Sequence, residues 1–83
     1  MNENTYLLVQ YGPDGGEHAA REIGRLDGVG RVSRVGGAYD LVVHVATEDD
    51  SVERVSRVFD AVLGVPGVLH VVSLRAADGL DVA

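Results

Sequence analysis

Four short runs rich in apolar and β-branched residues read as strands along this chain, and two other stretches carry their apolar positions at helical spacing. Residues 5–11, Thr5-Tyr6-Leu7-Leu8-Val9-Gln10-Tyr11, read as a first strand, which the cluster Gly12-Pro13-Asp14-Gly15-Gly16 breaks. Asp14, with Glu17 after it, has the form of a capping box with aspartate as the cap. Ala19, Ala20, Ile23 and Leu26 share one face of the helix that follows, and Gly28 ends it. Gly24 inside that helix costs about 1 kcal/mol relative to alanine; close approach of helix to sheet would offset this. Residues 29–35 form a weaker second strand, and a Gly36-Gly37 turn joins it to a third over 39–46. Thr47-Glu48-Asp49-Asp50 opens a second helix, with a hydroxyl cap and acids at the positive end of the dipole. Val52, Val55, Phe59 and Val62 form its apolar stripe and Gly64 stops it. Residues 68–76 are a fourth strand, and 77–83 read as a tail.

The order βαββαβ contains a weak internal repeat. Leu26-Asp27-Gly28-Val29 and Val65-Pro66-Gly67-Val68 each lead from a helix end into a strand. Two right-handed βαβ halves of this kind give an α+β, ferredoxin-like sandwich. The expected sheet is antiparallel, in strand order 4-1-3-2, with both helices on one face. The strands are apolar on both faces, however: Tyr6 and Leu8 alternate with Leu7 and Val9, and Val42 with Leu41 and Val43. Two helices cover one face only, and an open antiparallel face should be polar. The second face therefore calls for another chain, and a sheet-to-sheet homodimer is the simplest cover.

At 83 residues the chain is one domain, 1–83, with its core over 5–76. A domain this small buries only about 60–65% of its unfolded surface, so packing or assembly must supply stability. Cysteine is absent, which fits a cytoplasmic protein and removes thiolate metal sites. No stretch suggests a membrane span or a signal peptide. The net charge is −6, and all the basic residues are arginine. An acidic domain repels phosphate, so direct nucleic-acid binding is not expected.

Chemistry concentrates in Val35-Gly36-Gly37-Ala38-Tyr39-Asp40-Leu41-Val42-Val43. The glycines allow a tight reversal. Tyr39 and Asp40, as neighbours on the third strand, point to opposite faces of the sheet. Elsewhere no nucleophile and base pair up: Ser33, Ser51, Ser56 and Ser73 sit in no recognisable elbow. His18, His44 and His70 lie on separate elements, with the first strand between the two that carry His44 and His70. A three-histidine metal site within one chain is not expected. No cofactor or metal is implied.

That glycine stretch, the paired Gly-Val strand starts and the opening Tyr6-Leu7-Leu8-Val9-Gln10 together resemble the effector-binding (RAM) domain of the Lrp/AsnC, or feast/famine, transcription regulators. The resemblance spans roughly residues 5–75. It implies a βαββαβ fold that dimerises through its sheets, with dimers assembling into rings, commonly octamers. It also implies that an amino acid or related small metabolite binds between dimers near the glycine loop. Carried over by position, Gly36, Gly37, Tyr39 and Asp40 are the effector-loop residues, and Ser73 matches a hydroxyl position in the last strand. Val71 departs from the pattern, since many members carry threonine there. The chain looks like the stand-alone form without the family's helix-turn-helix domain. Such a module binds no DNA itself and acts on transcription by assembling with full-length Lrp/AsnC relatives.

Each of these residues also has a plainer reading. Gly36-Gly37 can be only a hairpin turn, Tyr39 an interface aromatic, Asp40 a turn cap and Ser73 an ordinary strand residue. The rival class is a small dimeric ferredoxin-like enzyme, of isomerase or cofactor-free monooxygenase type. An ACT-type amino-acid sensor shares the same topology. An enzyme needs a polar-lined cavity within each subunit, whereas an effector module has its site at a subunit boundary.

Overall fold

A computed structural model of the chain describes residues 5–13, 15–46 and 52–75. The element order is β1 (Thr5–Tyr11), α1 (Gly16–Gly24), β2 (Val29–Arg34), β3 (Leu41–Val45), α2 (Val52–Leu63) and β4 (Val68–Arg75). The four strands form one antiparallel sheet in the order β2-β3-β1-β4. This is the expected α+β, ferredoxin-like arrangement.

The alternation in β1 and β3 decides where the core lies. Leu7, Val9, Leu41, Val43 and Val45 are buried and share the helix-covered face. They pack with Ala19 and Ile23 of α1 and Val58 and Val62 of α2. Each large side chain buried here contributes about 1.5–3 kcal/mol. Among the described residues no helix is long and apolar enough to cross a membrane.

Several local expectations need correction. Gly15 holds the N-cap position of α1, and among the described residues no side chain caps that end; Asp14 lies outside the described residues. The helix stops at Gly24 rather than Gly28, because Arg25 and Leu26 close tighter i→i−3 bonds to Glu22 and Ile23. Gly24 is exposed, and a Cβ there would meet nothing within 4 Å, so no close approach offsets its cost. The stripe of α2 is rotated from the expected one. Val52 is 75% exposed, whereas Val58, left out of the sequence stripe, is buried with Val62. The Thr47-Glu48-Asp49-Asp50 start and the 77–83 tail lie outside the described residues.

Candidate functional site

The connection between β2 and β3 is a six-membered loop, residues 35–40, rather than a two-glycine turn. Tyr39 and Asp40 belong to it and not to β3. Backbone pairing does reach Asp40, whose N–H donates to Val9 O at 2.9 Å while Val35 N–H donates to Asp40 O at 2.9 Å. The ladder then changes character. Tyr11 N–H donates to the Asp40 carboxylate, Oδ2, at 3.0 Å, so a side chain takes the place of a strand carbonyl. Beyond it, Gln10 Nε2 donates to Ala38 O at 3.3 Å and the Tyr39 ring stacks on His70, with centroids 6.3 Å apart at 21°.

The base of the loop is thus tied to β1 and β4 at three successive residues, Ala38, Tyr39 and Asp40. Its tip is not. Gly36 and Gly37 are exposed, and a Cβ at either would meet nothing within 4 Å. Gly37 has φ +109, which an L side chain rarely adopts; Gly36 has no such requirement. The tip therefore presents bare backbone on a fastened base. Asp40 fills the turn-capping role, and its Oδ1 has no hydrogen-bond partner among the described residues.

Ser73 lies elsewhere. It pairs with Leu7 in the β1–β4 register and lines a groove of about 240 Å³ between α2 and β4, with Ser56, Phe59 and Arg75. His70 and Tyr39 meet on the other side of the sheet, so one chain does not bring Ser73 to the loop. The sequence reading missed Tyr11, Gln10 and His70 as partners of the loop. Only the β1–β4 register, Gln10 opposite His70, identifies them.

The same register orders the open face of the sheet. Ser33, Val42, Leu8 and Val72 form one row across the four strands. Arg31, His44, Tyr6 and Leu74 form the next, and Gln10 and His70 the row nearest the loop. Leu74 is 51% exposed, and Leu8, Val42 and Val72 are half-buried with no helix over them. Among the described residues no cluster of three potential metal ligands occurs.

No family profile and no curated protein matches the chain by sequence. Solved structures do match. A protein of Thermus thermophilus, TTHA0845, shares 26% identity over 96% of this chain and 99% of its own, with a TM-score of 0.82. The transcriptional regulator NMB0573 of Neisseria meningitidis, solved as an L-Met complex, superposes over 96% of this chain at 18% identity and TM-score 0.77. A regulatory protein of the AsnC family from Pyrococcus furiosus matches over 94% at 14% identity and TM-score 0.62. The chain carries the Lrp/AsnC-type fold. It spans about half the length of both regulators, 53% and 55%, and essentially all of the Thermus protein. At the level of fold, the Lrp/AsnC resemblance read from the sequence is borne out.

Proposed function

We propose that this chain is a stand-alone effector-binding and assembly module of the Lrp/AsnC kind, working in the cytoplasm. It dimerises through the open sheet face, and its dimers join into larger rings. A small metabolite, an amino acid above all, binds where the Gly36-Gly37 tip meets a neighbouring dimer. The observation that carries this reading is the construction of the loop. A bare two-glycine tip rests on a base fixed through Asp40, Tyr39 and Ala38, in a fold whose Neisseria example was solved with L-Met.

The chemistry follows from those groups. Exposed backbone N–H groups at the tip can receive a carboxylate. Asp40 Oδ1 can face an ammonium, and Tyr39 can wall an apolar side chain. Ser73, on the opposite side of the sheet from the Tyr39–His70 stack, would enter such a site from a neighbouring subunit. A ligand at a subunit boundary shifts assembly, because it favours whichever state it binds better. Control of transcription then runs through co-assembly with full-length relatives, since a chain of net charge −6 is a poor ligand for phosphate.

Calorimetry with a panel of amino acids, L-Met first, tests this on the wild type, Gly36→Ala and Asp40→Ala. Gly36→Ala is the clean variant: it adds a methyl to the tip where neither φ nor neighbours oppose it. Binding to the wild type that weakens at least tenfold in Gly36→Ala supports the site. Equal affinity in both variants moves the site elsewhere. No binding at millimolar concentration leaves an assembly module without an amino-acid effector.

A further inference from the structure

We propose that the groove between the α1–β2 turn and α2 binds a small zwitterion, a molecule that carries a carboxylate, an ammonium and an apolar body. This site is separate from the loop tip and does not depend on it.

The groove has a volume of about 330 Å³, within the range of about 300–1,000 Å³ that small-molecule pockets occupy. Leu26, Val58 and Ala61 give it an apolar lining, and its two sides carry opposite charge, Asp27 on the turn and Arg57 on α2. The turn is held in place. Val29 N–H donates to Leu26 O at 3.3 Å and Ala46 N–H donates to Gly28 O at 2.7 Å. Gly28 sits so close to α2 that a Cβ would come within 2.7 Å of Val58 Cγ2. The groove lies on the helix side of the sheet, so a sheet-face dimer leaves it open.

Local structure accounts for neither charge. Asp27 lies just past the C-terminal end of α1, where the helix dipole disfavours an acid. The second turn of the repeat has Pro66 at the matching place, so the turn itself does not need a carboxylate. Arg57 has Glu53 and Asp60 at helical spacing before and after it, yet pairs with neither. Asp27 and Arg57 do not pair with each other, and among the described residues neither side chain makes a hydrogen bond or an ion pair. Arg54, which has a partner of its own, also lines the groove. Two opposite charges that line one gap without bridging it match a ligand that carries both. Its carboxylate meets the Arg57 guanidinium in charge-assisted hydrogen bonds, its ammonium meets the Asp27 carboxylate, and its hydrocarbon covers Leu26, Val58 and Ala61. A ligand with one charge would meet a like charge on the other side of the groove.

The test is an amide NMR titration of the whole chain with L-leucine and 6-aminohexanoate, isomers that hold the same two charges at different separations. Hexanoate and hexylamine, with one charge each, are the controls. The expected result is saturable shifts at the Gly28 and Ala61 amides with at least one isomer in the millimolar range, and binding weaker by about tenfold or more with either single-charge compound. The isomer that binds better reports the spacing of the two charges. Asp27 and Arg57 are exposed, so Asp27→Asn and Arg57→Gln should keep the fold by circular dichroism. Each should weaken that isomer by about tenfold or more, and Gly36→Ala should leave it unchanged. Shifts confined to Gly36 and Gly37 assign these ligands to the loop tip and overturn the groove site. A single-charge compound that binds equally well, or full affinity in either groove variant, overturns recognition of a zwitterion by Asp27 and Arg57. No shift at Gly28 or Ala61 with any of the compounds at millimolar concentration overturns the proposal outright.

Discussion

Val42 and Val43 are neighbours on β3, and the same substitution at each should produce two different failures. Val43 is fully buried against the helices, whereas Val42 sits in the middle row of the open face, between Leu8 and Ser33. Val43→Asp loses about 2 kcal/mol of apolar burial and places a carboxylate in the core at a further several kcal/mol. A domain of this size has roughly 4–12 kcal/mol in total, so the variant should be largely unfolded. Val42→Asp leaves its carboxylate in water while the subunit is alone, at a cost of about 1 kcal/mol or less from strand preference. In the dimer each copy brings one such charge into the interface. At about 3 kcal/mol per buried carboxylate, the pair weakens association by about 6 kcal/mol, or ~10⁴-fold in Kd. Circular dichroism and sedimentation velocity on the two variants read fold and assembly separately. The expected pair is a folded monomer for Val42→Asp and an unfolded chain for Val43→Asp. Wild-type dimer affinity in Val42→Asp would refute the assignment of the open face, and equal unfolding of both would refute the separation of the two faces.

Other substitutions probe the loop and the charge. Asp40→Ala removes the acceptor of Tyr11 N–H, a part-buried charge-assisted bond, and should cost about 1.5–3 kcal/mol in urea unfolding. Gly37→Val, at φ +109, should destabilise by about 1–2 kcal/mol, whereas Gly36→Ala should be neutral within about 0.5 kcal/mol. The isolated chain should show no salt-sensitive retention of duplex DNA at physiological ionic strength in a filter or polarisation assay.

The sheet was legible because the apolar, β-branched runs and the Gly-Val strand starts agree with the only right-handed way to join the pieces. Strand order, helix placement and the doubly apolar sheet all followed from that. The loop was less legible for a specific reason. Tyr39 and Asp40 continue the alternation of β3, and Asp40 even pairs with Val9 through its backbone. What ends the strand is a side-chain bond from a distant residue, Tyr11, which no local pattern encodes. The rotation of α2 has a similar origin. Valines at 52, 55, 58 and 62 with Phe59 fill two overlapping arcs, and only packing on the sheet chooses the arc centred on Val58 and Val62. Ser73 was placed by resemblance alone, and its register position puts it with α2 rather than with the loop.

The internal repeat carries a last test, because its two turns use glycine against different neighbours. Both Gly28 and Gly67 have positive φ, +92 and +98. At Gly67 a Cβ would meet the backbone of Gly15 at 3.4 Å; at Gly28 it would meet the Val58 side chain, Cγ2, at 2.7 Å. Gly28→Ala should therefore combine about 1–2 kcal/mol of left-handed strain with about 1 kcal/mol or more of overpacking. Only the second part depends on Val58. Val58→Ala alone opens a buried gap and should cost about 2–3 kcal/mol. In the double variant the new methyl enters that gap, so the overlap vanishes and part of the cavity is filled, while the strain stays. The double variant should be more stable than the sum of the single losses by about 1 kcal/mol. Urea unfolding of the four proteins at one protein concentration measures this, with concentration fixed because a dimer's stability depends on it. Additive losses would mean that α2 shifts away from the turn at no cost, and the close packing of the first helix-to-strand turn on α2 would then contribute nothing to holding the two halves of the repeat together.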